Sequence, residues 1–360
     1  MKHIAPFFAL VFLLPGLSEA QAPKYSNEFL AIGVGARALG MGNANVATTG
    51  DATSGYWNPA GLMGLPRDMQ VSLMHSEYFA GIAKYDFGAF AKKIDSLSAC
   101  SFSIIRFGVD DIPNTTELID AQGNVNYDKI TKFSAADYAF IGSYARKLTI
   151  PGLSVGGNVK IIRRKIGDFA GAWGFGLDAG AQYDAKGWRF GAVLRDVTST
   201  FNAWSFNLSD QMKQTFALTG NDIPQNSIEL TLPRLILGAS HKYYIKDKFS
   251  VMPELDLDMT FDGRRNTLIQ TGFTSVDPHF GIEIGFKDFI YLRTGLCNMQ
   301  YVTDFAGKKA LNVQPNIGLG VRIKQVTIDY ALTDIGDASV ALYSNIFSLK
   351  FDLNKKAKTQ

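Results

Sequence analysis

Cysteine is scarce in this chain: Cys100 and Cys297 are the only two in 360 residues. They lie far apart and form neither a metal pattern nor a disulfide framework. Of the four histidines, His3 sits in the N-terminal leader, and His75, His241 and His279 are too scattered to suggest a triad or a metal site. No Gly-x-Ser-x-Gly elbow is present. After the N-terminus no segment offers the roughly 18 unbroken apolar residues that a membrane helix needs, which excludes helical membrane proteins. A net charge of +3 points to no acidic partner, nucleic acid included. No enzyme activity, cofactor or metal is expected.

What is present is alternation. Val313, Pro315, Ile317, Leu319, Val321 and Ile323 are apolar, while Gln314, Asn316, Gly318, Gly320 and Arg322 between them are small or polar. Val251, Pro253, Leu255, Leu257, Met259 and Phe261 interleave in the same way with Met252, Glu254, Asp256, Asp258, Thr260 and Asp262. Side chains along a strand alternate between faces, so each segment has one face suited to lipid and one suited to water. Hydrophobic residues make up 46% of the chain and mean hydropathy is +0.01, values that fit a soluble protein as well as a barrel. Lumen-facing residues dilute hydropathy in barrels, so composition leaves that class open.

The N-terminus reads as a secretory signal peptide over 1–20. It has a basic tip at Lys2, an apolar stretch from Ile4 to Leu17, and small residues at Ser18 and Ala20. Cleavage after Ala20 is favoured, because a cut after Ala22 would leave Pro23 directly behind it.

Turn signals divide the chain into fourteen strands: 69–79, 83–94, 97–109, 135–148, 153–167, 172–185, 188–198, 231–245, 249–262, 278–286, 289–299, 312–323, 325–334 and 340–353. Even-numbered strands are followed by tight turns such as Lys287-Asp288 and Lys324-Gln325. The long connectors 110–134, 199–230, 263–277 and 300–311 all follow odd-numbered strands, so they share one rim. Even strand number, short periplasmic turns and long extracellular loops are the pattern of bacterial outer-membrane barrels. A soluble sandwich has no reason to sort loop length by parity. Tyr78, Phe79, Tyr183, Trp188, Tyr243, Tyr244, Phe289, Tyr291 and Phe347 fall near strand ends, where amphipathic rings settle at the lipid–water boundary. The expected fold is all-β: a 14-stranded transmembrane antiparallel barrel over 69–353.

Residues 21–68 do not alternate and read as an N-terminal plug inside the lumen. Gly33-x-Gly35-x-x-Ala38 superficially matches a dinucleotide fingerprint, but no βαβ context surrounds it. The glycines Gly35, Gly40, Gly42 and Gly61 suit a backbone that turns and packs in a confined place. Asp51 is expected to N-cap a short helix running to Trp57, with Pro59 stopping it.

The run Gly35-Ala36-Arg37-Ala38-Leu39-Gly40-Met41-Gly42, followed by Asp51-Ala52 and by Tyr56-Trp57-Asn58-Pro59-Ala60-Gly61-Leu62, resembles the N-terminal signature of the long-chain fatty-acid transporter (FadL-like) superfamily of outer-membrane barrels. Within it the chain is most similar to the PorV/PorQ branch associated with the type IX secretion system, including Asp277–Phe286 and Tyr291–Gly295. The resemblance implies a fourteen-stranded plugged barrel in the Gram-negative outer membrane, surrounded by its lipid. It also implies partners: secreted cargo with C-terminal signal domains, the translocon and the surface attachment machinery. Whether such a protein carries cargo or anchors a surface partner is left open. Uptake of a small hydrophobic molecule such as a fatty acid is the alternative.

Either role places function on the extracellular loops. Ile112, Leu118 and Ile119 stand among the acidic residues of 110–134, including Asp120. Phe201, Trp204, Phe206, Met212 and Phe216 lie in 199–230. Aromatic and Met side chains on a loop suit protein contacts, and packing over the barrel mouth suits them equally. The inward carboxylates Glu254, Asp256 and Asp258 are expected to meet the inward cations Lys160, Arg189, Arg293 and Arg322 in a cross-lumen network that fixes the plug. Phe351-Asp352-Leu353 is followed by a basic tail, 354–360, expected in the periplasm.

Overall fold

A computed structural model describes residues 26–119, 123–303, 307–335 and 343–354. The leader 1–20 with its cleavage site, Asp120, and the tail from residue 355 onward lie outside the described residues. The first half of the sheet comprises β1 (Met69–Tyr78), β2 (Ala83–Lys93), β3 (Ser98–Asn114), β4 (Thr131–Lys147), β5 (Leu153–Ile166), β6 (Ala170–Ala185), β7 (Trp188–Arg195) and β8 (Thr200–Phe206). The second half comprises β9 (Ser227–Thr231), β10 (Arg234–His241), β11 (Tyr243–Ile245), β12 (Phe249–Thr260), β13 (Ile269–Gln270), β14 (Ser275–Phe286), β15 (Ile290–Thr303), β16 (Lys309–Ile323), β17 (Val326–Thr333) and β18 (Ser344–Leu353). Among the described residues three α-helices accompany them: α1 (Ala36–Gly40), α2 (Ser54–Trp57) and α3 (Asp210–Leu218).

These segments form a closed antiparallel barrel of fourteen strands, sealed where Met69 to Glu77 of β1 pair with Leu353 to Asn345 of β18. Closure matters because lipid offers no hydrogen bonds to an open strand edge. Two barrel positions are built from interrupted strands. β7 and β8 both pair with β6, and the extra residues between them bulge at Asp196 and Ser199, whose φ values are 55° and 58°. β9 pairs with β8 and β10 with β7, the break falling at Leu232-Pro233, where proline supplies no ladder amide. The short turns on the other rim are tight. Lys287 and Asp288 take φ of 51° and 50°, the left-handed pair that lets a two-residue hairpin follow strand twist.

The wall is taller on the long-loop side than the sequence pattern suggests. β3 runs to Asn114 and β4 starts at Thr131, so Ile112 is a strand residue above a bulge at Asp111. Likewise Phe201, Trp204 and Phe206 belong to β8 rather than to a free loop. Alternation is weak there because those segments stand above the apolar band, where the outward face has no lipid to meet.

The interior is not uniformly polar. Tyr85, Phe87, Ile105, Ile141 and Ile162 point inward from β2 to β5 and pack with plug residues Phe29, Leu30, Val34, Leu39, Tyr56, Trp57 and Leu62 in one buried cluster. One half of the lumen is therefore a dry core, and burying such side chains drives the plug into place. Two rings assigned to the membrane boundary also turn inward: Tyr78 is buried beside Tyr85, and Tyr291 lines a lumen cavity. Tyr183, Trp188, Tyr243, Tyr244 and Phe289 are exposed near the short-turn rim, and Phe347 is exposed on β18.

Candidate functional site

The plug, from Ser26 to Asp68, sits against the wall through backbone contacts that only small residues permit. A Cβ at Gly40 of α1 would lie 2.9 Å from the Gly318 Cα on β16. At Gly42, where φ is +64°, it would lie 2.8 Å from the Leu296 amide nitrogen of β15. Gly61 is equally constrained, 2.6 Å from the Thr49 carbonyl oxygen.

Polar groups then fix the plug on the opposite half of the lumen from the dry core. Glu254 Oε1 accepts hydrogen bonds from the Ala47 and Thr48 amides at 2.9 and 3.1 Å, and its Oε2 accepts one from the Thr48 hydroxyl at 2.5 Å. Asp256 Oδ2 takes the Asn45 and Val46 amides, both at 2.8 Å. Two adjacent inward carboxylates thus cap four consecutive plug amides, and charge-assisted bonds of this kind are among the strongest available. Arg37 reaches Glu283 at 2.9 Å, Asn45 Oδ1 at 2.5 Å and Thr48 Oγ1 at 3.2 Å. Burial works against the charge on Arg37, and Glu283, Glu254 and Asp51 outweigh it, so its pKa is raised.

The expected pairing of the carboxylate row with Lys160, Arg189, Arg293 and Arg322 is not what the lumen contains. Glu254 and Asp256 bind plug backbone, and Asp258 pairs with Arg234 at 3.2 Å. Lys160 lies between Asp178 and Asp196 at 2.7 and 2.5 Å, and Arg189 pairs with Asp184 at 3.2 Å. Arg293 bridges Glu283 and Asp329 at 2.7 and 2.8 Å, and Arg322 reaches Asp352 at 3.1 Å. The cations find carboxylates on adjacent or nearby strands because the plug occupies the space a cross-lumen pair would have to span.

Asp51 does not cap α2, whose N-cap is Thr53. It accepts from the Thr53 amide and hydroxyl at 2.8 and 2.6 Å, and pairs with Lys350 of β18 at 3.0 Å. Trp57 donates to the Val34 carbonyl at 2.9 Å. Asn58 is fully buried and donates to Val46 and Ala181 carbonyls at 3.1 and 3.0 Å while accepting from Ala60. Pro59 and Ala60 are buried beside it, and the Gly35 amide rests on Met74 Sδ at 3.0 Å. The Asn-Pro-Ala motif is therefore a structural latch of the plug.

Several plug partners carry no signature in the sequence. Gln182 donates to the Val46, Ala47 and Thr49 carbonyls at 3.1, 3.3 and 3.0 Å. Arg195 lies 4.7 Å from the Tyr56 ring centre and donates to the Tyr56 carbonyl at 3.1 Å. Inward parity on strands 172–185 and 188–198 is the only signal that points to them.

The plug separates two cavities with no lining residue in common. One, of about 730 Å³, opens at the short-turn rim among Arg37, Asp51, Arg189, Tyr291, Arg322 and Lys350. The other, of about 550 Å³, lies towards the long loops and is lined in part by Phe29, Ile32, Leu39, Tyr78, Phe79 and Phe107. Among the described residues no group of His, Cys, Asp and Glu side chains is arranged to hold a metal ion.

At the long-loop rim the loop candidates divide. Phe201 points outward from β8, whereas Trp204 and Phe206 stack at 6.2 Å on the inner face, Trp204 donating to Glu229 at 2.8 Å and lying 4.9 Å from Arg164. Met212 and Phe216 ride on α3, a helix capped by Ser209 with no buried residue. The Thr215 hydroxyl donates to the Thr116 carbonyl at 3.3 Å, which joins this loop to the one carrying Leu118 and Ile119.

Known proteins agree with this geometry. No curated protein matches the chain. Among solved structures, the Ralstonia pickettii toluene transporter TbuX is 15% identical, aligning over 89% of this chain and 99% of its own with a TM-score of 0.52. The Pseudomonas putida toluene transporter TodX is 12% identical over 88% of this chain and 96% of its own, with a TM-score of 0.54. A Pseudomonas aeruginosa FadL homologue is 12% identical over 89% and 98%, with a TM-score of 0.52. At such identities these similarities describe the fold alone. A family model described as type IX secretion system protein PorV matches residues 19–256, more than half of the chain. The chain belongs to the PorV family of type IX secretion system proteins.

Proposed function

We propose that this barrel is a non-enzymatic carrier or anchor in type IX secretion, exported by the general secretory pathway and working through its extracellular loops. Cargo with C-terminal signal domains, the translocon and the surface attachment machinery are its partners in this reading. The observation that carries it, beside family membership, is the gripped plug. Four consecutive plug amides are held by Glu254 and Asp256 and the other plug face is packed in apolar core, so the lumen is built as a support for the rim rather than as a pore. The rim supplies the contact surface, where α3, with Met212 and Phe216 half-buried, is joined to the loop bearing half-buried Leu118 and exposed Ile119.

Passage of a hydrophobic small molecule is the second reading. It is favoured by the partly apolar cavity on the long-loop side, of a size suited to one small ligand. Deletion of the protein separates the two. Secretion predicts cargo that is unattached at the surface or trapped in the periplasm, and uptake predicts normal cargo attachment with loss of growth on a hydrophobic substrate.

A further inference from the structure

The two cavities on either side of the plug differ in charge as well as in place. The short-turn cavity is lined in part by Arg37, Arg189, Arg293, Arg322 and Lys350. Around the long-loop cavity, of about 550 Å³, no Lys or Arg is found among the described residues, while Glu28, Asp277 and Asp334 all line it. Its lining follows the barrel wall from β14, through β15 to β18, to β1 and β3, with Phe29, Ile32, Leu39 and Asn43 on the plug side.

The two ends of this lining have opposite character. At β1 and β3, Tyr78 packs on Tyr85 and Tyr85 on Phe107, with ring centres 6.4 and 6.0 Å apart, and Phe79 beside them is 55% exposed. With Ile32 and Leu39 these rings make an apolar end. At β14 to β16 the side chains are Asp277, His279, Asn298, Gln314 and Asn316.

The polar end is short of donors, not of acceptors. His279 Nδ1 lies 2.9 Å from the Gly42 carbonyl oxygen, which can only accept, so the ring proton belongs on Nδ1. With His279 neutral, Nε2 is then a bare acceptor, and it lies 3.8 Å from Asp277 Oδ2. Two acceptors at that separation leave a place for one shared donor, since a nitrogen about 2.9 Å from each completes both bonds. Asn316, 1% exposed, donates its amide to Cys297 Sγ at 3.1 Å, and its Oδ1 has no partner. Of the three carboxylates only Glu28 forms an ion pair with Arg or Lys among the described residues, with Arg265 at 3.8 Å. Arg234, on the neighbouring wall, is engaged by Asp258 at 3.2 Å.

A fatty-acid carboxylate brought to this end meets Asp277 and Asp334 and finds no cation, which costs it affinity. A positively charged nitrogen is attracted by both and supplies the missing donors.

We propose that the long-loop cavity is a binding site for a small apolar molecule that ends in a cationic nitrogen. The nitrogen lies between Asp277 Oδ2 and His279 Nε2, and the apolar body extends towards Tyr78, Phe79 and Phe107. This rests on the small-molecule reading above and assigns its ligand class, an amine rather than a fatty acid.

The test uses the full barrel in a non-ionic detergent and three probes with one apolar body: 4-phenylbutylamine, 4-phenylbutanol and 4-phenylbutyrate. Binding is read by calorimetric titration at pH 7, with the heat of uptake by protein-free micelles subtracted. The expected result is saturable binding of the amine, several-fold tighter than that of the alcohol, and none of the butyrate. Asp277→Asn is expected to bring the amine to the level of the alcohol, and Phe107→Ala to weaken both alike, in barrels that still shift mobility on heating. Should Asp277→Asn fail to fold, Asp334→Asn takes its place, with a several-fold loss of amine binding expected. Amine binding left unchanged by the carboxylate variant overturns the site. Alcohol or butyrate binding as tightly as the amine overturns the ligand class and leaves the small-molecule reading standing. No binding of any probe to a folded barrel overturns both.

Discussion

Asp51 of the plug and Lys350 of the last barrel strand meet at 3.0 Å across 299 positions of sequence. The pair closes the polar side of the plug against β18, with Asp329 3.3 Å from the same ammonium. It also gives the plug a pH dependence. Burial pushes the Asp51 carboxyl up, and Lys350 and Thr53 more than offset it, holding it at about 2. The folded value is depressed, so the stabilisation is complete above the unfolded value of about 3.9 and is lost as pH falls through 2. The thermal midpoint of the detergent-solubilised barrel, read from its heat-induced mobility shift, is expected to be higher than that of Asp51→Asn at pH 7. The stability difference behind it, on the order of 2 kcal/mol, is expected to close between about pH 4 and 2.

The carboxylate clamp makes a different prediction. Glu254→Ala leaves the Ala47 and Thr48 amides buried without an acceptor, at a cost of about 1.5–3 kcal/mol. The double variant with Asp256→Ala frees all four amides. Planar-bilayer recordings are expected to show a closed native barrel, brief openings in Glu254→Ala and frequent openings in the double variant. Glu254→Gln retains an acceptor oxygen and is expected to fall nearer to native.

Close backbone approach sets a third expectation. Gly40→Val drives a side chain into the Gly318 backbone, where neither wall nor plug has a flexible group to move. Overpacking of this kind costs about 1–3 kcal/mol. Protease cleavage within 26–68 is expected to rise in Gly40→Val. Gly142, which has nothing within 4 Å of a Cβ, is the matched control, and Gly142→Ala is expected to be indistinguishable from native.

The rim carries the fourth. Replacing Ser209–Gly220 with a short Gly-Ser linker removes an exposed helix and the Thr215–Thr116 bond while leaving every barrel pairing intact. The heat shift is expected to persist. Surface-attached cargo, measured by whole-cell immunoblot, is expected to fall several-fold.

Much of this architecture was legible in the chain because barrels write two strong signals, a period of two and connector length sorted by parity. The tight turns at Lys287-Asp288 and Lys324-Gln325 needed no tertiary information. The Asn58-Pro59-Ala60 latch was visible as a motif. What Glu254 and Asp256 bind was not, since a carboxylate facing a lumen pairs with whatever chain returns beside it, and here that is the backbone of 45–48. The apolar inward faces of β2 to β5 were hidden for a related reason: a plugged barrel has two apolar surfaces, and periodicity alone does not say which one faces lipid. Phe201, Trp204 and Phe206 read as loop in the sequence because strand continuing beyond the apolar band loses its outward apolar requirement.

The most direct measurement of the central claim is the location of type IX cargo in cells lacking this protein, with and without complementation by the native chain. The account predicts cargo unattached at the surface or retained in the periplasm, restored by the native barrel. Normal surface attachment in the deletion strain would contradict it.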